Sequence, residues 1–87
     1  MNIDVKNKVV VITGSSKGIG SDLAKAFAAE KAIVVINYCN SKKEAEKTYN
    51  EVIKRSPHSL MIKADVRNKQ DVAKMISGLK TFFEKKL

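Results

Sequence analysis

Among its 87 residues the chain has one cysteine, Cys39, one histidine, His58, one proline, Pro57, and no tryptophan. A single cysteine excludes an internal disulfide and a cysteine-rich metal site, and a lone histidine brings no second ligand of its kind. A reduced compartment is the simplest fit. Long apolar runs are missing too: Val9 to Ile12 and Ala32 to Ile36 fall far short of the roughly 20 residues that a membrane-spanning helix needs. Residues 1–8 are too polar for a signal peptide, so the expectation is a soluble, cytoplasmic chain with no membrane partner. Acidic residues are scarce, nine against seventeen Lys and Arg, for a net charge of +8. The basic residues run from Lys6 to Lys86 with Asp and Glu between them and no interleaved aromatics, which argues against specific nucleic-acid binding and for solvated helix faces. A general attraction for anions remains, because that charge sits on a small body.

Short apolar runs alternate with helical periodicity three times, and no linker, repeat or low-complexity stretch interrupts them. The pattern predicts one domain over residues 1–87, of the α/β class, with the order βαβαβα. The first strand is placed at about Lys8 to Thr13. Its helix carries Ile19, Leu23 and Phe27 at i, i+4 and i+8, a spacing that predicts a common buried face. Ala32 to Asn37 is a nearly continuous β-branched run, as in a parallel strand covered on both faces. Ser41-Lys42-Lys43-Glu44 reads as a capping box opening a second helix with Ala45, Tyr49, Val52 and Ile53 inward, ended by Pro57. The third strand is placed at about Ser59 to Ala64. Asn68 is a good N-cap for a third helix, with Val72, Met75, Ile76, Leu79 and Phe83 at helical spacing. Right-handed crossovers between parallel strands give the spatial order 3-2-1, a three-layer half-Rossmann unit.

Between the first strand and its helix lies Thr13-Gly14-Ser15-Ser16-Lys17-Gly18-Ile19-Gly20. In a strand-to-helix turn the glycines have separate tasks: Gly14 lets the chain leave the strand tightly, Gly18 clears room for a pyrophosphate, and Gly20 lets the helix pack closely. The helix N-terminus then offers N–H groups to the anion. Ser15 and Ser16 either add hydroxyl donors to that site or bond locally as turn residues; the sequence leaves both open. A P-loop is excluded, since Lys17 precedes Gly18 instead of following a closing glycine.

The spacing Thr-Gly-x-x-x-Gly-Ile-Gly near the N-terminus resembles the short-chain dehydrogenase/reductase family, and the Ser-Ser-Lys filling is similar to its 3-oxoacyl-carrier-protein reductase and glucose dehydrogenase branches. The resemblance runs from Met1 to roughly Ile76 and covers only the family's N-terminal, cofactor-binding portion. It implies a dinucleotide held across the carboxyl ends of the strands, by residues 14–20 and by two further places. At the end of strand two, NAD-binding proteins carry an acidic residue about 20 residues after the turn, where this chain has Asn37. An amide does not repel a 2′-phosphate, and Lys17 with Lys42 or Lys43 would add positive charge, so NADP is expected over NAD. The alternative is that these lysines are merely solvated. After strand three, Asp65-Val66 matches the family's adenine-reading pair; otherwise Asp65 simply orders a turn.

Family chemistry also needs a tyrosine and a lysine four residues apart on one helix, with a serine nearby. Tyr38-Cys39-Asn40-Ser41-Lys42 has the spacing but straddles a strand end and a helix start, so no catalytic residue is assigned. Cys39 reads as a passive thiol and His58 as a loop residue. Two functions stand: the cofactor-binding portion of a reductase, not catalytic alone, or a non-catalytic nucleotide-binding or protein-interaction module. The uncovered Val9 to Ile12 edge predicts homo-oligomers through that edge or the helix faces.

Overall fold

The computed structural model describes residues 4–86, so the Met1 and Leu87 ends of the segments above lie outside the described residues. Six elements alternate: β1 Val9–Ile12, α1 Gly18–Ala29, β2 Ile33–Tyr38, α2 Lys42–Ile53, β3 Leu60–Lys63 and α3 Lys69–Lys86. The three strands form one parallel sheet with β2 central, Val9 pairing with Ile33 and Val35 with Leu60. The expected α/β half-Rossmann order is therefore the observed one.

Side-chain alternation along β2 builds two cores. Val34, Ile36 and Tyr38 pack with Ala24, Ala28, Ala45 and Val52, so α1 and α2 share one face of the sheet. Val35 packs on the other face with Ala64, Met75 and Leu79, which puts α3 there and completes three layers. This is why β2 tolerates an unbroken apolar run: both of its sides are covered.

Of the three residues expected to face inward from the helix after β1, Phe27 packs against the core, and Ile19 and Leu23 do not. Ile19 is 81% exposed and Leu23 45% exposed, while Ser21, Ala24 and Ala28 are buried. Ser21 meets α2, and at 100° per residue Ile19 and Leu23 lie roughly 160° round the helix from it, on the flank beyond β1 that no described element covers. Small residues, not large ones, make the contact because α1 runs so close to the turn beneath it. Ile76 is also exposed, at 57%, since Met75 and Leu79 aim α3 at the sheet and the next residue turns about 100° away. Val9 and Val11 are half exposed on the α3 face of β1, the edge that the sequence marked as open.

Both later helices start where expected, by different means. Asn68 Oδ1 accepts hydrogen bonds from the N–H groups of Gln70 at 2.9 Å and Asp71 at 3.1 Å. The Ser41 side chain makes no cap hydrogen bond, so the capping box does not form; its backbone, at φ −98° and ψ 62°, is off the extended geometry that such a cap requires.

Candidate nucleotide-binding site

The carboxyl end of β1 runs into the glycine turn, and two long-range contacts hold that turn in place. The Ser15 N–H donates to the Asn37 carbonyl at 3.1 Å, extending the β1–β2 ladder past the strand end. The Ser15 hydroxyl donates to the Ile12 carbonyl at 2.7 Å and accepts from the Asn37 N–H at 3.1 Å. With its side chain fully buried, Ser15 is a strut between strands, bonded locally to Ile12 and across the sheet to Asn37.

Gly14 and Gly18 both have φ +63°, a left-handed backbone that disfavours any residue with a Cβ. At Gly20 the demand is for space. A Cβ there would sit inside van der Waals contact of the Gly14 carbonyl oxygen and 2.9 Å from Ser15 Cα, so glycine is what lets α1 start against the turn. Lys17 is the N-cap of α1 in extended geometry, with no side-chain cap and no acidic residue in the first turn. Among the described residues, nothing accepts a hydrogen bond from the N–H groups of Lys17, Gly18, Ile19 or Gly20. Those donors and the positive end of the helix dipole form an anion-binding surface, and a pyrophosphate fits its chemistry.

Asn37 does not reach that surface. It is 2% exposed and on the α3 face of the sheet, where its Nδ2 donates to the Ala64 carbonyl at 3.1 Å and approaches Met75 Sδ at 3.8 Å. Its Oδ1 accepts from the Gly14 N–H at 3.4 Å. The amide placed by sequence spacing at a cofactor ribose instead joins the ends of β1 and β3. The strand continues one residue further than expected, so the positions after it are Cys39, half-buried, and Asn40, exposed.

Asp65 is also engaged. Arg67 donates from Nε to Oδ1 at 3.0 Å and from Nη2 to Oδ2 at 3.1 Å, and its backbone N–H adds a third bond at 2.9 Å. Arg67's hydrogen bonds, side-chain first and then backbone, hold the Asp65 carboxyl below its ordinary range. A depressed carboxylate pKa means that this pair contributes above the ordinary aspartate pKa and loses its contribution as pH falls through the lowered value. The carboxylate thus orders the β3–α3 turn, while Val66 beside it is 45% exposed. Asp71 supports the same turn, its Oδ2 accepting from the Asp65 N–H at 3.1 Å.

Lys42 is the exposed first residue of α2, and Tyr38 ends β2 with its ring buried against α1 and α2, so the two are not helical neighbours. Ser16, Lys17, Ser21, Lys47, Thr48 and Glu51 line a polar groove of about 610 Å³ between α1 and α2, adjoining the turn. A more apolar cavity of about 540 Å³ lies at the opposite, amino end of the strands, near Ile33, Leu60 and His58, and has no part in this site. Sequence reading overlooked Thr48, Ser21 and Arg67. For Arg67, the arginine two residues after an aspartate was the available signal; for Thr48, a hydroxyl on the inner stripe of α2. Among the described residues no cluster of three or more His, Cys, Asp or Glu can hold a metal ion, and no helix is long and apolar enough to cross a membrane.

Known proteins match this chain in sequence and in fold. The short-chain dehydrogenase/reductase homolog YusS of Bacillus subtilis strain 168 is 36% identical over 77 residues, spanning 88% of the chain and 71% of YusS. A solved short chain dehydrogenase from Bacillus anthracis str. 'Ames Ancestor' superposes with a TM-score of 0.80 at 39% identity, over 88% of this chain and 32% of that one. The angucycline C-6 ketoreductase LanV, solved with bound NADP, has the same fold at 23% identity, with a TM-score of 0.81 over 32% of its length. The chain therefore spans about a third of these solved structures. The short chain dehydrogenase family model matches residues 8–85, almost everything from β1 to the end of α3. With the glycine turn, the parallel sheet and this match in agreement, the chain belongs to the short-chain dehydrogenase/reductase family.

Proposed function

We propose that the chain is the NADP-binding, N-terminal portion of a short-chain oxidoreductase of the 3-oxoacyl-carrier-protein reductase type, and that it is not catalytic alone. One observation carries this reading: the unshared N–H groups of Lys17 to Gly20 at the start of α1, beside a turn whose glycines hold it close to the helix. The nicotinamide, when bound, supplies a hydride acceptor or donor. This chain's residues orient and bind; Lys17 to Gly20 take the pyrophosphate and the Val66 region borders the adenosine.

The preference for NADP over NAD rests on Lys17, with Lys42 at the start of α2, since the Asn37 side chain is committed elsewhere. Calorimetric titration of the isolated chain with NADPH and NADH tests this, followed by addition of a 3-ketoacyl thioester. NADPH should bind more tightly, and Lys17→Ala should weaken it about tenfold, about 1.4 kcal/mol, with a smaller effect on NADH. Tighter NADH binding would sink the preference, and thioester-dependent turnover would overturn the non-catalytic assignment.

A protein-interaction role is favoured by the β1 edge, where Val9 and Val11 are half exposed. We place self-association there, and expect a sedimentation coefficient that rises with concentration. A constant monomer value counts against it.

A further inference from the structure

The glycine turn is gripped from outside its own motif, by a hydroxyl on α2. Thr48 is 3% exposed, and its Oγ1 lies 3.0 Å from the Ser16 carbonyl oxygen and 2.8 Å from Ser21 Oγ. A hydroxyl has one proton and a carbonyl only accepts, so Thr48 donates to Ser16 and Ser21 donates to Thr48. The direction of both bonds is thereby fixed.

We propose that Thr48 is a positioning residue for phosphate binding, setting which way the Ser16–Lys17 peptide faces; this rests on the dinucleotide reading above. The peptide is trans, so its carbonyl and N–H point in opposite directions across one plane. Holding the Ser16 carbonyl toward α2 turns the Lys17 N–H away from α2, as one of the donors with no acceptor among the described residues. With this peptide reversed, a carbonyl oxygen would face the anion, and an attraction would become a repulsion. Thr48 thus controls the sign of the dipole that a phosphate meets, from a residue that touches no ligand.

The test compares Thr48→Val, which keeps the shape and removes the donor, with Thr48→Ser, which keeps the donor. Val52→Ala, a buried truncation on the same helix, is the reference for loss of stability alone. Under the proposal Thr48→Val weakens NADPH binding about tenfold, while Thr48→Ser and Val52→Ala stay within about twofold of the parent chain. Thr48→Val binding as well as Val52→Ala overturns the proposal. If the parent chain does not bind NADPH, the dinucleotide reading fails, and amide hydrogen exchange in the unliganded chain decides the positioning role. Faster exchange at the hydrogen-bonded amides flanking the turn, Ser15 and Ser21, in Thr48→Val than in Val52→Ala then supports it, and equal exchange overturns it.

Discussion

Asn37→Asp is expected to destabilise the chain by about 3 kcal/mol without improving its affinity for NADH. By sequence spacing alone, the substitution restores the acidic residue of NAD-binding proteins and should shift cofactor preference. The structure gives the opposite expectation, because Asn37 is 2% exposed and its Nδ2 donates to the Ala64 carbonyl. An aspartate sets an oxygen against that carbonyl oxygen and buries a charge with only the distant Gly14 N–H, 3.4 Å away, as a donor. Burial raises such a carboxyl's pKa in the folded state. The ionisation penalty is then absent below the ordinary aspartate pKa, grows as pH rises towards the raised value, and is constant above it. Urea midpoints of the two chains should converge at acid pH and separate near neutrality. A variant as stable as the parent at pH 7, with tighter NADH binding, would return Asn37 to the ribose.

Gly20→Ala is the second large effect, about 2 kcal/mol of lost stability together with loss of dinucleotide binding. Alanine is the better helix former by roughly 1 kcal/mol, so propensity alone predicts a gain. Here the new methyl meets backbone, the Gly14 carbonyl and Ser15 Cα, which cannot rotate aside as a side chain can. Relief requires lifting α1 from the turn, which disturbs the Ser15 contacts to Ile12 and Asn37 and the line of N–H donors. Gly78→Ala provides the contrast. It lies within α3 with nothing inside 4 Å of its added Cβ, and should stabilise by about 0.5–1 kcal/mol. Denaturant melts of both variants check the pair, and a stabilised Gly20→Ala would refute the packing argument.

Much of the architecture is legible in the sequence because it depends on neighbours along the chain. The β-branched run through Ile33–Tyr38 reports a strand with two covered faces, and the glycine spacing at residues 14–20 reports a strand leaving directly into a helix. Asn68 capped its helix through bonds two and three residues away. The face that α1 buries was not legible. Hydropathy favours Ile19 and Leu23, whereas the contact is made by Ala24, Ala28 and Ser21, and closeness of approach rather than side-chain size decides it.

The site divides in the same way. The amino-acid order by itself determined that a glycine turn opens α1, that the sheet is parallel with β2 between β1 and β3, and that the chain carries the N-terminal part of its family's pattern. Tertiary structure decided which polar groups remain available to a ligand. Asn37 is held by Gly14 and Ala64, and the Ser16 carbonyl by Thr48. A polar side chain has the same hydrogen-bonding capacity wherever it lies in the sequence, and what satisfies it is the nearest partner in space. For Asn37 and the turn, those partners come from segments more than 20 residues away, joined only when the three strands and both helical layers have closed.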